Sequence, residues 1–279
     1  MDFFVLTQTF IPKKLITCLA GIFAGLKYRP IKNLLIEKFI RAYQVDMTEA
    51  EALSIDQYAD FNDFFTRQLR SGARPLPENT KAMVSPADGV VSEFGQITQM
   101  QIIQAKGKMY SVAKLLGDDD LASSIDGGCF ATVYLSPKDY HRVHMPMNGK
   151  PVSIRHIPGK LFSVNNRTAQ NLDSLFAINE RLIVTFEHEA TGKKFVLVMV
   201  GALIVGGMET VLTGPVTRAK LPGNLDFQQK TLMRGEELGR FYLGSTVILL
   251  CPKGLGELDE RMAAGMPVKM GQKIGLTEN

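Results

Sequence analysis

The sequence is poor in the residues that define several protein classes. Its three cysteines, Cys18, Cys129 and Cys251, are far apart and form no C-x-x-C arrangement. They support neither a disulfide framework nor a thiolate metal site, and a reducing compartment fits them best. No apolar stretch reaches the roughly 20 residues of a membrane-spanning helix. With 45% hydrophobic and 22% charged residues, the composition excludes disordered, collagen-like and heptad-repeat proteins and indicates a folded globular chain.

The positive charge is concentrated at the N-terminal end. Residues 1–45 hold seven basic and two acidic side chains, a net charge of +5, whereas the whole chain carries +4. The remainder is therefore nearly neutral, and it lacks a Lys/Arg stripe interleaved with aromatic residues, so nucleic acid is not an expected partner. An anionic membrane surface would attract the basic segment.

The N-terminal segment has the pattern of interfacial helices. Residues 15–26 form a twelve-residue apolar stretch with basic flanks, which is too short to cross a bilayer and predicts an interfacial or re-entrant helix. Two alternatives remain open. A secretory signal would begin similarly, although no clear A-x-A site follows, and two amphipathic helices could instead pack on the protein's own core. The residues that indicate the second helix are Ile31, Leu34, Leu35, Lys38 and Phe39, with Lys32 and Arg41 expected on the headgroup side.

The rest of the chain reads as a β-rich unit. Ser54 is a predicted N-cap for a helix running to about Leu69, and the Gly/Pro-rich residues 71–77 then mark a boundary. We expect a helical membrane-associating region at 1–75 and a β-rich catalytic domain at 76–279. Because helical patterns do not alternate regularly with strands, we predict an α+β fold, mainly an antiparallel β core with N-terminal amphipathic helices. The predicted strands include 130–135, 182–186, 195–200 and 246–250.

The bond between Gly244 and Ser245, at the entrance of the last of these strands, is a candidate reactive site. A turn is the ordinary explanation of such a dipeptide. However, the Gly244 carbonyl has no neighbouring Cβ to shield it, and the Ser245 hydroxyl lies beside it. Ser245 can attack that carbonyl if a base removes its proton.

The base and its carboxylate partner have candidates elsewhere. His141 and His144 share one loop framed by prolines, and their spacing of three without an intervening Glu argues against a zinc site. Each histidine could instead be a structural residue with satisfied hydrogen bonds. Asp88 precedes Gly89 and a β-branched run, which is typical of a hairpin turn, but a carboxylate there could also orient an imidazole.

Taken together, these motifs resemble the bacterial phosphatidylserine decarboxylases, which are membrane-associated pyruvoyl enzymes. The resemblance covers nearly the whole chain and shows no departure at its key positions. The matching fragments are Phe64-Phe65-Thr66-Arg67, Arg74-Pro75, Pro86-Ala87-Asp88-Gly89, Gln104-Ala105-Lys106-Gly107, Tyr134-Leu135-Ser136-Pro137, Asp139-Tyr140-His141-Arg142-Val143-His144, Gly159-Lys160-Leu161-Phe162-Ser163-Val164-Asn165, Val200-Gly201-Ala202 and Leu243-Gly244-Ser245-Thr246, the last being the family's self-cleavage signature.

The resemblance implies that the chain is a proenzyme cut between Gly244 and Ser245. Ser245 Oγ would attack the Gly244 carbonyl, and β-elimination of the ester followed by hydrolysis would leave a pyruvoyl group as the covalent cofactor. Residues 1–244 would become the large chain and 245–279 the small one. Asp88 and His144 match the family residues that promote this cleavage together with Ser245.

The resemblance also implies the reaction and its surroundings. The pyruvoyl carbonyl would form a Schiff base with the amine of phosphatidylserine and accept the electrons released with CO2, giving phosphatidylethanolamine. His141 matches a histidine proposed to assist substrate positioning or protonation. A homodimer bound peripherally to the cytoplasmic side of the cell membrane is expected, with no metal. The predicted substrate loop consists of Phe162, Ser163, Val164 and Asn165.

Two rival functions stay open on the residues alone. A serine hydrolase using Ser245, His144 and Asp88 would keep its chain intact. A lipid-binding or carrier-like β module would need no reactive serine, so replacing Ser245 with Ala would leave it active.

Overall fold

The computed structural model describes residues 3–10, 13–203, 207–216, 231–242 and 244–278. The strands named below pair only in antiparallel fashion, which confirms the α+β prediction. The helices are α1 Phe3–Phe10, α2 Lys13–Ala24, α3 Arg29–Tyr43, α4 Phe61–Phe65, α5 Val112–Leu116, α6 Asp119–Ser124, α7 Asn166–Asn171 and α8 Leu175–Ile178. The strands are β1 Ala82–Val84, β2 Gly89–Gln96, β3 Gln101–Ala105, β4 Lys108–Ser111, β5 Cys129–Leu135, β6 Arg142–His144, β7 Gly149–Ile157, β8 Arg181–His188, β9 Lys194–Val200, β10 Met208–Thr210, β11 Gly214–Val216, β12 Glu237–Phe241, β13 Ser245–Cys251, β14 Gly256–Leu258, β15 Pro267–Val268 and β16 Lys273–Thr277.

A seven-stranded sheet in the order β15-β2-β5-β13-β9-β8-β7 forms the centre of the structure. It contains all four strands that the apolar runs predicted. Along β13, Val247 and Leu249 belong to one buried cluster, while Ile248 and Leu250 belong to another. Because successive side chains point to opposite faces, both faces of the sheet are covered, which explains the uninterrupted apolar run in the sequence.

Different layers cover the two faces. One face packs against a four-stranded sheet in the order β11-β10-β12-β6, which contributes Leu238, Phe241 and Val143 to the core. The other face packs against short helices, including α5 and α8, through residues such as Leu115 and Phe176. This double cover fixes the position of β13 and of the residues at its start.

The N-terminal helices α2 and α3 form at the two predicted positions and share a third apolar cluster with α4. The Phe39 ring of α3 meets the rings of Phe61, Phe64 and Phe65 edge-on, at centroid distances of 5.2 to 6.0 Å. Edge-to-face packing of this kind stabilises a cluster beyond its buried area. No helix in the described part of the chain is both long and apolar enough to cross a bilayer.

The prediction of one helix over 54–69 was wrong. Ser54 does cap a helix, but this is a single 3-10 turn, Ile55–Gln57. The Asp60 side chain then accepts a hydrogen bond from the backbone N–H of Asp63 and begins α4 as a separate helix. The apolar spacing predicted one continuous face, whereas the second N-cap divides the segment.

The prediction that Lys32 faces lipid headgroups was also wrong. Lys32 is buried, and its Nζ donates to the backbone carbonyls of Ile55, Asp56 and Tyr58 at 3.2, 3.3 and 2.6 Å. These carbonyls replace the water that an exposed ammonium would bind, so burial is tolerated. Lys32 therefore fastens α3 to the segment before α4.

Candidate active site

The order of the strands brings Asp88 and Ser245 to one end of the central sheet. Ser245, the first residue of β13, lies opposite Leu135, the last residue of β5. Asp88 immediately precedes β2, whose Val90 pairs with Tyr134 of β5. The two predicted site residues are thus separated in the sheet by one intervening strand.

Backbone hydrogen bonds tie His141 to the segment before Ser245 and His144 to the segment before Asp88. The Phe241 N–H, four residues before Ser245, donates to the His141 carbonyl at 3.0 Å. The His144 N–H donates to the carbonyl of Pro86, two residues before the predicted carboxylate, at 2.7 Å. The four candidate residues therefore share one region, although 157 positions separate the first from the last.

The Ser245 hydroxyl is buried and unengaged. Ser245 is fully buried, and its Oγ has no hydrogen-bond partner among the described residues. Gly244 before it adopts a left-handed backbone conformation with φ +46°, and an added Cβ would meet no atom within 4 Å. Backbone conformation rather than space therefore favours glycine here. Leu243, the first residue of the self-cleavage signature, lies outside the described residues.

Asp88 is held as a buried, ionised carboxylate. Arg74 donates from Nε to Oδ1 at 2.9 Å and from Nη2 to Oδ2 at 2.5 Å, and the Met270 N–H donates to Oδ1 at 2.8 Å. Lys269 Nζ lies 3.3 Å from Oδ2. Burial by itself would raise the pKa of Asp88, but the hydrogen bonds and charge of Arg74, with Met270 and Lys269, hold that pKa below its ordinary value.

The Asp88-Gly89 dipeptide is not a hairpin turn. The strand before it, β1, pairs with β16, whereas β2 after it pairs with β5 and β15. An added Cβ at Gly89 would lie 2.2 Å from the Tyr134 carbonyl oxygen. Glycine is therefore required for the close approach of β2 to β5, directly beside the carboxylate.

His144 has hydrogen bonds at both ring nitrogens. Nδ1 lies 2.8 Å from the Gly235 carbonyl oxygen, so it carries the proton, and Nε2 accepts from the Tyr140 hydroxyl at 3.0 Å. Burial lowers the pKa of His144, which favours this neutral tautomer. Among the hydrogen bonds of the described residues, none joins His144 to Asp88 or Ser245. The Asp88 charge still acts on the ring, where it opposes a small part of the lowering of the His144 pKa that burial causes.

His141 has one unengaged nitrogen. Its Nδ1 donates to the Asp139 carbonyl at 2.8 Å, and its Nε2 has no hydrogen-bond partner in the described part of the chain although the residue is fully buried. The ring packs on Phe65 at a centroid distance of 4.1 Å. Burial lowers the pKa of His141 to about 3, so the imidazole is neutral at physiological pH and Nε2 is free to accept a hydrogen bond.

The predicted substrate loop, 162–165, lies near the same end of the central sheet. Phe162 exchanges hydrogen bonds with the side chain of Asn179, which also donates to the carbonyl of Gly201, next to the end of β9. The Ser163 N–H donates to Gln8 of α1 at 2.9 Å. Val164 is buried in the second apolar cluster, and Asn165 caps α7. The loop therefore joins the N-terminal helix to the β-rich core.

Two cavities of opposite polarity border these residues. Gly244 and Phe65 line an apolar cavity of about 340 Å³, whereas Asp88 and Tyr140 line a polar cavity of about 170 Å³. The other lining residues of the apolar cavity are Ala20, Phe23, Ala24, Leu35, Phe39, Tyr43, Phe61, Pro137 and Leu203. Those of the polar cavity are Gln44, Asp46, Glu49, Arg67, Leu69, Arg74, Lys138, Asp139 and Lys269.

Sequence reasoning gave no role to Arg74 or Tyr140. Both lie inside fragments of the family resemblance, which was the one signal available. In the structure, Arg74 is paired with Asp88, and Tyr140 donates to the Nε2 of His144. Each therefore contacts a residue predicted for self-cleavage.

Comparison with known sequences agrees with the motifs. The family model described as "Phosphatidylserine decarboxylase" matches residues 61–276, and a second model, described as "PSD", matches residues 3–44. A phosphatidylserine decarboxylase proenzyme of Herminiimonas arsenicoxydans is 47% identical over 279 residues, covering 98% of this chain and 93% of that protein. The proenzyme of Chromobacterium violaceum is 47% identical over 276 residues, covering 97% of this chain and 98% of its own length.

A third relative, from Acidovorax ebreus (strain TPSY), bears the same name and is 46% identical over 275 residues, covering 97% of this chain and 96% of the relative. The matches extend over both the N-terminal helices and the β-rich core. The chain belongs to the phosphatidylserine decarboxylase family.

Proposed function

We propose that this protein is a proenzyme that cuts its own chain between Gly244 and Ser245 and then decarboxylates phosphatidylserine to phosphatidylethanolamine. The observation that carries the cleavage step is the buried Ser245 Oγ, which no other described residue hydrogen-bonds, beside a glycine in the left-handed conformation. The substrate follows from family membership, since the relatives described above are named for it.

His144 is the proposed base for cleavage. Because the Gly235 carbonyl can only accept a hydrogen bond, the proton lies on Nδ1, and Nε2 can accept the Ser245 proton once the Tyr140 hydroxyl releases it. The negative charge of the ionised Asp88 favours the resulting imidazolium, although burial keeps the pKa of His144 below its ordinary value. Among the described hydrogen bonds, none yet joins these groups to Ser245, so a rotation of side chains must precede the reaction.

The bonds change in three steps. Ser245 Oγ forms a C–O bond to the Gly244 carbonyl carbon while the peptide C–N bond breaks, which gives an ester. Elimination removes the α-proton of Ser245 and breaks its Cβ–Oγ bond, so Gly244 leaves with a free carboxylate. Water then replaces the amino nitrogen of the dehydroalanine, ammonia departs, and a pyruvoyl group remains at the start of the small chain.

The surroundings fit such a group. A pyruvoyl ketone supplies an acceptor for the electron pair released when CO2 leaves. Gly244, the residue before it, borders an apolar cavity that Phe65 and Pro137 also line. His141 is the proposed residue that positions the substrate or transfers a proton, because its Nε2 is buried and unengaged beside Phe65.

The N-terminal helices are the proposed contact with the membrane. Five apolar side chains of α2 and α3 are between 43% and 60% exposed. Together with the exposed basic side chains of Lys27, Arg29, Lys38 and Arg41, this surface suits the anionic cytoplasmic face of a membrane. Peripheral binding there, and a homodimer as the resemblance implies, are part of the proposal. The five residues are Leu19, Ile22, Phe23, Ile31 and Leu34.

Docking of this kind lets an acyl chain enter the apolar cavity without crossing water. Transfer of a lipid tail into water costs about 0.8 kcal/mol per methylene group, which a water-soluble enzyme would have to overcome. The cavity is lined by residues of α2 and α3 at one side and by Gly244 at the other. A bound tail would therefore place the headgroup near the proposed reactive residue.

The decisive experiment compares purified wild-type protein with Ser245→Ala. Wild type should show two chains and release CO2 from phosphatidylserine in vesicles, while Ser245→Ala should remain one chain without activity. Thr132→Val is the matched control: its Oγ1 is equally buried and unpartnered, on the neighbouring strand β5, and this variant should still be cut. A wild type that stays one chain and hydrolyses the lipid would support the serine hydrolase. Lipid binding that is the same in wild type and Ser245→Ala, with no CO2 release from either, would support the binding module.

A further inference from the structure

Two of the three cysteines face each other across the central sheet. Cys129 begins β5 and Cys251 ends β13, and the antiparallel register places them directly opposite one another. Directly opposed residues in such a pair have Cα atoms about 4.5 or 5.5 Å apart. Both values lie within the range of roughly 4.4 to 6.8 Å that disulfide bonds bridge. Both side chains also belong to the same apolar cluster, so they point to one face of the sheet.

The two thiols differ in environment. Both are reduced in the structure. Cys251 is fully buried, whereas Cys129 exposes 8% of its surface. The Cys129 thiol donates to the Gly256 carbonyl oxygen at 3.6 Å, and the Cys251 thiol donates to the Met83 sulfur at 3.9 Å. Cys129 is therefore the more accessible of the two, which is a property of the thiol that reacts first with an oxidant.

We propose that Cys129 and Cys251 form an oxidation-sensitive pair, which a peroxide converts into a cross-strand disulfide. The Cys129 thiolate attacks one peroxide oxygen, the O–O bond breaks, and a sulfenic acid and hydroxide form. The Cys251 sulfur then attacks the Cys129 sulfur, the S–O bond breaks, and water leaves as the S–S bond forms. Two thiols and one hydrogen peroxide thus give one disulfide and two waters.

The place of this pair in the chain gives the disulfide a consequence, which rests on the proposed self-cleavage. Cys129 belongs to the large chain, 1–244, and Cys251 belongs to the small chain, 245–279. Seven residue pairs between β5 and β13 already hold these chains together without a covalent bond. Oxidation would join them covalently again, through the seventh residue of the small chain, and so bind the pyruvoyl-bearing chain to its scaffold under oxidative stress.

The test treats the purified, self-cleaved enzyme with hydrogen peroxide, blocks remaining thiols by alkylation and runs denaturing gels with and without dithiothreitol. We expect most of the small chain to move with the large chain on the non-reducing gel and to separate on reduction. Cys129→Ala and Cys251→Ala should abolish this link, whereas Cys18→Ala should retain it. Two chains that stay separable after oxidation would overturn the proposal.

Peptide mapping of oxidised wild-type protein keeps the inference testable without any variant. A digest should contain one disulfide-linked pair of peptides, holding Cys129 and Cys251. A link from either residue to Cys18, or Cys129 recovered only as sulfinic acid, would contradict the assignment. The map also separates the two proposals, because the cross-linked peptides are expected in Ser245→Ala as well, where no cleavage occurs.

Discussion

Arg74 contacts two carboxylates, and neutralising each in turn should have different effects on folding and on cleavage. Asp88 and Glu49 both hydrogen-bond the Arg74 guanidinium, with Nη2 to carboxylate distances of 2.5 and 2.6 Å. The Asp88 side chain is 2% exposed, whereas that of Glu49 is 27% exposed. Asp88→Asn and Glu49→Gln therefore form a matched pair that changes one charge on the same partner.

The magnitudes follow from burial. Removing one charge from a buried ion pair costs about 3 to 5 kcal/mol, because the partner stays buried without compensation. Asn retains an oxygen for the Met270 N–H, and Glu49 still pairs with Arg74, so we expect about 3 kcal/mol for Asp88→Asn. Glu49→Gln removes a partly exposed charge and should cost about 1 kcal/mol or less.

Urea unfolding at pH 7 and denaturing gels measure stability and cleavage on the same samples. Asp88→Asn should remain one chain even where it is folded, whereas Glu49→Gln should be cut. Because the folded-state pKa of Asp88 is lowered, its contribution to stability is present at neutral pH and is lost as pH falls from about 4 through the folded-state value. Cleavage of folded Asp88→Asn at the wild-type rate, or equal loss of cleavage in both variants, would refute this reasoning.

Three further predictions concern the histidines and the cavity. Tyr140→Phe frees Nε2 of His144, so this variant should cleave itself at least as fast as wild type. Its free energy of unfolding should fall by about 1 to 3 kcal/mol. A time course without cleavage would show that the Tyr140 hydroxyl takes part in the cleavage reaction. His141→Gln should make stability depend less on pH on the acid side. The folded-state pKa of His141 is about 3, so between pH 3 and 6.5 the unfolded state binds a proton that the folded state does not, which lowers the wild-type free energy of unfolding by about 2 kcal/mol at pH 5. A variant that keeps the wild-type difference between the urea midpoints at pH 7 and pH 5 would contradict this. Ala20→Phe fills the apolar cavity and should raise the KM for long-chain phosphatidylserine more than the KM for a short-chain analogue. Ile22→Ala, on the same helix but outside the cavity lining, should change both KM values alike. Equal KM changes for both lipids in Ala20→Phe would exclude the cavity as the site of the acyl tail.

The parts of the fold that the sequence predicted are those with local patterns. The β-branched run 246–250 indicated a strand because both faces of β13 are covered, and the basic flanks of 15–26 marked the helix α2. Where local signals compete, the pattern failed: the apolar periodicity over 54–69 concealed the second N-cap at Asp60. Lys32 was misplaced because its three carbonyl acceptors lie more than 20 residues further along the chain.

The same distinction applies to the candidate site. Asp88, both histidines and Ser245 could be named from short motifs, and the roles given to them stay predictions. Their partners could not be predicted, since they depend on long-range packing: Lys269 lies 181 positions from Asp88, and Gly235 lies 91 positions from His144. No spacing rule in the sequence connects such residues, whereas the sheet order brings them together.

The most direct test of the account is the intact mass of the purified wild-type protein under denaturing conditions. Self-cleavage predicts two species, residues 1–244 with a free carboxylate and residues 245–279 lighter than the plain peptide by one ammonia. A single species with the mass of the uncut 279-residue chain, in a preparation that decarboxylates phosphatidylserine, would contradict it.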